Sequence, residues 1–368
     1  MKVIESPKKA PPPAQRPGHE TRSYYDIHGA VRVGVDQDAP AAPQLKEVLK
    51  PFAAERHAAD ITVTTKPRHP GSLCMAESAY MYGERAVLFP RRGLQVSMVG
   101  GRFEVAGKGE LLTAVLPLMD LVAASHETAM VHAATLEYRG RGICLPAWGG
   151  AGKTTVSGRL VDTLECGFLG DDWGFISSNG RALGFPKPMF IKPHHRAAYP
   201  AAFRGMRKPL APAVLTPLLG RVSTKVHPFV TRHPKLAAAA RRWSPEYLMI
   251  DPQAVFPTTR IGGTVPLGLV VFIERSAEEK VMLRERNVGW MVPRLIGNFL
   301  QEMSAESRFL LAALGTAGLI STEQYHAAKA AALREAMAGL PLFSLSVPRA
   351  TKADGVASCV ARVIARYL

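Results

Sequence analysis

Residues 147–155 read AWGGAGKTT, and GDDW follows at 170–173, a single helix further on. A loop that holds phosphate needs backbone N–H groups turned inward, hence glycines, and a helix N-terminus aimed at the anion. It also needs a lysine for the outer phosphates and a hydroxyl for Mg²⁺. Gly149, Gly150 and Gly152 supply the turn freedom around Ala151, Lys153 the charge and Thr154 the hydroxyl, with Thr155 next on the helix. Only the first position departs from GxxxxGK[ST]: it is Ala147. The context is the required one, an apolar strand before and an amphipathic helix after. A second short match, AGKG at 106–109, lacks both the hydroxyl residue and the spacing.

Working outward, VHAATLEY, RGRG and ICLPAW (131–148) read as strand, tight turn, strand. A hairpin centred on Arg139 to Gly142 sets His132 nearly opposite Gly149, beside the loop. The helix runs through GKTTVSGRLVDTLECG with Val156, Leu160, Val161 and Leu164 on one face, and Gly167 ends it. FLGDDWGFI then returns as a strand carrying Asp171 and Asp172. Adjacent strand residues face opposite ways, so one of the two points at the site unless both lie just past the strand end. A carboxylate there can take a proton from an attacking hydroxyl or hold Mg²⁺.

The 368 residues exceed one ordinary core and suit two domains. A Pro- and Lys-rich leader, 1–22, reads as disordered, with no apolar stretch of signal-peptide type. Residues 23–109 read as a small N-terminal α/β domain: RSYYDIHGAVRVGV (22–35) is strand-like, LKEVLKPFAAE (45–55) helical, and 84–107 two or three short strands. Residues 110–368 form the second domain, an α/β unit with a mixed sheet. It opens on a helix over 110–126. VPLGLVVFIER (265–275) is the near-continuous apolar run of a strand buried on both faces. Helical patterns follow over 293–315 and 322–338, then PLFSLSV as a last strand and a last helix with Val356, Cys359, Val360, Val363 and Ile364 inward. No apolar run approaches the roughly 20 residues of a membrane span. The four cysteines form no CxxC pair, which argues against a zinc site and for reduced residues in a cytosolic protein.

This order of motifs resembles the HPr kinase/phosphorylase family and its relatives, a branch related to the phosphoenolpyruvate carboxykinases. The likeness rests on VHA at 131–133, GGAGKTT at 149–155 and GDD at 170–172. It implies a P-loop kinase that uses ATP and Mg²⁺ to phosphorylate a hydroxyl, a serine on a peptide or small protein or a small-molecule alcohol. The implied roles put Lys153 and the loop backbone on the phosphates, and Thr154 and Asp171 on Mg²⁺. Asp171 or Asp172 is the base, with His132 in support. TRIGGTVPLGLVVFIER (259–275) is similar to the family's late arginine loop, which would make Arg260 a phosphate contact. Hexamers are usual in that family, so a homo-oligomer is compatible. The chain departs from it in lacking any acid between Trp173 and Pro245, where the family carries a metal-binding Glu.

Charge supplies the rival reading. Between Arg181 and Arg260 there are fourteen Lys and Arg against Glu246 and Asp251, which accounts for +12 of the net +16. Such a surface can receive an anion, and a nucleotide-dependent regulatory protein, nucleic-acid-associated in one version, is the alternative to a kinase. No nucleic-acid-binding motif accompanies it. A carboxykinase-type reaction ranks third, since it needs a second metal with its own ligands. Within FPKPMFIKPHH (185–195), the lysines and His194 and His195 read first as a solvated turn and second as anion contacts. His126-Glu127 is no HExxH, because position 130 is Met. Trp148 and Trp173 either shape a pocket or pack.

Overall fold

A computed structural model describes residues 22–67, 69–76, 79–108, 111–191, 195, 199, 203 and 248–368. Nearly all of the leader, His194 and most of the basic span lie outside the described residues. The described chain is mixed α/β, with two large mixed sheets and eight α-helices.

The first sheet takes its strands from the N-terminal third. They are β1 (Arg22–Ile27), β2 (Val31–Asp36), β3 (Ala53–Ala54), β4 (Ile61–Thr64), β5 (Cys74–Ala76), β6 (Tyr80–Gly83), β7 (Ala86–Phe89), β8 (Leu94–Val99) and β9 (Arg102–Gly107). Their order is β3-β1-β2-β4-β9-β8-β7-β6-β5. The stretch read as one strand over 22–35 is a hairpin, because His28 and Gly29 both take positive φ and turn the chain. The first helix, α1 (Ala42–Leu49), stops earlier than its pattern, at the 3₁₀ turn that contains Pro51. α2 (Leu112–Ser125) keeps Pro117 inside and leads to the second sheet.

That sheet begins with β10 (Thr128–Val131), β11 (Ala133–Tyr138) and β12 (Arg141–Pro146), followed by α3 (Lys153–Leu164), β13 (Gly167–Gly170), β14 (Gly174–Ser177) and β15 (Arg181–Leu183). β16 (Met189–Ile191) and β17 (Leu248–Ile250) pair apart as a ribbon. After α4 (Pro252–Val255) come β18 (Thr264–Ser276), β19 (Met282–Glu285), α5 (Val288–Glu302), α6 (Ala305–Thr316), α7 (Thr322–Ala336), β20 (Leu342–Pro348) and α8 (Ala353–Tyr367). β18 runs parallel to both β12 and β20.

Alternation explains the apolar run of β18. Leu269, Val271 and Ile273 pack with α3 and α8 on one face, through Val156, Leu160, Val360 and Ile364. Val270 and Phe272 pack with α5 and α7 on the other, through Met291, Leu295 and Leu333. A strand covered on both sides cannot alternate with polar residues. A third cluster joins the first sheet to α2 and to the α5–α6 corner, where Ile27, Val33, Leu118, Phe299, Met303 and Leu314 share one core.

The pattern read as one helix over 293–315 is two. Ser304 accepts a hydrogen bond from the Ser307 amide and caps α6, and Met303 turns extended before it. The first four N–H groups of a helix need such a partner, so the serine marks a new start. Arg308 of α6 donates to the carbonyls of Leu300, Gln301 and Met303, pinning the end of α5.

Candidate functional site

The loop 147–152 leaves the C-terminal end of β12 and turns into α3. Gly150 and Gly152 hold φ of 77° and 95°, conformations that side chains other than glycine rarely adopt. The hairpin that precedes it is tighter than its sequence pattern suggests. Arg139 and Gly140 alone form the turn, with φ of 50° and 76°, and Ala133 pairs with Pro146. His132 is therefore level with Ala147 rather than Gly149. A shift of two residues preserves the face, so the imidazole still reaches the loop.

Four side chains meet there. Lys153, buried at 8% exposure, donates from Nζ to His132 Nε2 at 2.8 Å and to Asp172 Oδ1 at 3.1 Å. Because Nε2 accepts, Nδ1 carries the proton and donates to Asn298 Oδ1 at 3.1 Å, and Asn298 donates in turn to the Ala147 carbonyl. Burial, and then the neighbouring Lys153, push the His132 pKa down to about 3. The imidazole is neutral, with its tautomer fixed.

Both aspartates lie just past the end of β13, in the connection to β14. Asp172 takes φ of 69°, a conformation aspartate tolerates better than most residues. Burial by itself would raise its carboxyl, but Lys187 and Lys153 outweigh that and hold it well below the usual carboxylate range. Asp171 moves the other way, raised by burial first and by the charge of Asp172 second. The surroundings thus push the two carboxyls apart, Asp172 downward and Asp171 upward.

Asp171 Oδ1 is buried and has no hydrogen-bond partner in the structure, and the Thr154 hydroxyl lies beside the carboxyl. An orphaned acceptor next to a hydroxyl fits a cation. Among the described residues no cluster of three or more His, Cys, Asp or Glu could hold a metal ion by itself. Mg²⁺ commonly takes one or two protein oxygens and the rest from phosphates and water, so the pair fits an ion that arrives with a nucleotide.

The cavity over the loop measures ≈ 700 Å³, and Lys153, Thr154, Thr155, Asp172, Glu302 and His195 are among its lining. Sequence reasoning missed two residues of this site, Asn298 and Glu302, and gave a third only a second-place role as an anion contact. Lys187, read first as part of a solvated turn, is 5% exposed, stands 3.4 Å from Asp172 Oδ2, and lies over the Phe190 ring. Asn298 and Glu302 come from α5, and Glu302 Oε1 accepts from the Gly149 amide at 2.8 Å. No local motif marks them. Lys187 carried one signal, an isolated charge between prolines in an apolar run.

Arg260 is not brought to the loop. It pairs with Glu137 at 2.9 Å, and its carbonyl accepts from Phe168 at the start of β13, whereas the aspartates follow the end of that strand. Arg260 precedes β18 and so lies at the far edge of the sheet. Arg275, near the other end of β18, reaches the loop instead, with a guanidinium nitrogen 3.6 Å from where a Cβ on Gly152 would stand. Trp173 packs between His132 and Phe299, and Trp148 packs on Phe272 while lining the cavity. All four cysteines are free, and no described helix is long and apolar enough to cross a membrane. No protein-family model matches this chain, and no curated protein matches it.

Proposed function

We propose that the protein is a cytosolic P-loop kinase of the HPr-kinase-like kind, transferring the γ-phosphoryl group of ATP to a hydroxyl of a peptide, small protein or small alcohol. The observation that best supports this reading is the convergence of Lys153, neutral His132 and ionised Asp172 at the end of a glycine loop. A loop that only sensed nucleotide would need no base held ionised beside its lysine.

In this reading the loop amides and Lys153 take the phosphates, and Lys153 leaves Asp172 and His132 to do so. Thr154 and Asp171 would hold Mg²⁺, which when bound neutralises charge on the phosphates. Lys187 stays at Asp172 and keeps it ionised. The acceptor hydroxyl gives its proton to Asp172 as its oxygen bonds to phosphorus and the bond to ADP breaks. His132 is held in place by Asn298 and by the Trp173 ring packed against it, with Nε2 3.9 Å from Asp172 Oδ1. Arg159 of α3, which lines the cavity, and Arg275, beside Gly152, are the arginines at the loop in place of Arg260.

The test follows label from γ-labelled ATP with Mg²⁺ and lysate of the protein's own host, beside Lys153→Ala and Asp172→Asn. Label on a peptide or small molecule, absent with both variants, is the expected result. Label released only as phosphate, or kept in ATP, favours the nucleotide-dependent regulatory protein instead.

A further inference from the structure

We infer that Glu302 holds the place of the terminal phosphate on the loop, and so sets how strongly the site favours nucleoside triphosphate over diphosphate. This rests on reading the loop as a nucleotide site. A phosphate loop presents amide N–H groups to an anion, and here one of them already has an anion. The Gly149 amide donates to Glu302 Oε1 at 2.8 Å. Glycine is what lets the carboxylate come so close, since a Cβ at position 149 would stand 3.0 Å from that oxygen.

Three observations put this contact at the outer-phosphate end. Glu302 Oε2 lies 4.0 Å from His132 Nε2, and the same nitrogen is 2.8 Å from Lys153 Nζ. The lysine of such a loop serves the outer phosphates. Gly149 also lies at the strand side of the loop, whereas the amides at the start of α3 belong to the inner phosphates. A diphosphate can therefore seat without meeting Glu302, and a triphosphate cannot.

The carboxylate is held there by construction. Arg308 ties down the carbonyls at the end of α5, and Asn298, one turn earlier, holds the Ala147 carbonyl. The helix end thus grips the loop on both sides of Trp148. Only the side-chain torsions of Glu302 are left to move, and they must turn the carboxylate away before a γ-phosphate can take the Gly149 amide. Like charges a few ångströms apart, even largely screened, cost about a factor of ten in affinity.

The experiment is isothermal titration calorimetry on the full chain with ADP and with the non-hydrolysable triphosphate AMP-PNP. It compares wild type, Glu302→Gln, Glu302→Asp and Lys153→Ala. Glutamine keeps the size and the acceptor oxygen and removes the charge; aspartate withdraws the carboxylate by one methylene. Both should tighten AMP-PNP about tenfold and leave ADP within about twofold. Weakening of both nucleotides together would make Glu302 a loop support and overturn the inference, as would unchanged binding of both. Wild type that binds neither nucleotide, with Lys153→Ala indistinguishable, would overturn the nucleotide reading itself and the inference with it.

Discussion

His132 shows how a buried neutral residue leaves a mark on stability. Its unfolded pKa is the ordinary 6.5 and its folded value about 3, so below pH 6.5 the unfolded chain binds a proton that the folded chain refuses. The contribution is complete above pH 6.5 and is lost as pH falls toward about 3, at up to about 1.4 kcal/mol per pH unit. Asp172, also depressed, loses its share only below the ordinary carboxylate value of 3.8, so the two windows largely separate. Urea unfolding between pH 7 and pH 4 should show a steeper loss for wild type than for His132→Gln. Equal slopes would mean that the imidazole is protonated in the fold.

At the scale of elements, α3 depends on a single missing methyl. Tyr199, 2% exposed, donates to the Thr154 carbonyl, and a Cβ on Gly158 would stand 2.6 Å from its Cζ and Oη. In an exposed helix Gly→Ala stabilises by about 1 kcal/mol. Here Gly158→Ala should instead destabilise by about 1–3 kcal/mol, because the ring cannot retreat from a packed core. In a Tyr199→Ala background the same change should turn stabilising, which denaturant titration of the four proteins would show. Lys329 makes a comparable point on α7. Fully buried, it donates to Asp120 at 2.6 Å, and Asp120 also accepts from the Met130 amide and from Tyr325. One carboxylate thus ties α2, α7 and β10 together immediately before His132. Burial lowers the Lys329 pKa to about 8.

For the molecule as a whole, the boundary read at 109/110 falls between the two sheets in sequence, yet one buried cluster spans it. Phe103 and Val105 of β9 share a core with Leu118 of α2, Met303 after α5 and Leu310 and Leu314 of α6. Contacts this apolar couple unfolding across a boundary. Calorimetry of the full chain should give one cooperative transition, and a fragment of residues 110–368 should bind a hydrophobic dye that the full chain does not. Two separate transitions, or a fragment that melts like its parent, would show the halves to be independent. The same packing carries the end of α5 to the loop.

How much of this was legible in the sequence depends on how far apart the partners are along the chain. From His132 through the loop to Asp172, each element follows its neighbour through one tight turn or one helix, so spacing alone brought the imidazole, lysine and carboxylates together. The two-sided apolar run of β18 and the inward face of α8 were equally readable, since burial imposes its period on the residues. Strand direction was not: an arginine before β18 and one near its end look alike in sequence, but only the one near its end lies beside a loop that leaves the end of a parallel strand. Nor was Glu302, 153 residues from Gly149. Its place is set by the Ser304 cap that ends one helix and starts another, and by a core that presses that corner against the first sheet. Local chemistry wrote the loop, and tertiary packing alone chose the carboxylate that faces it.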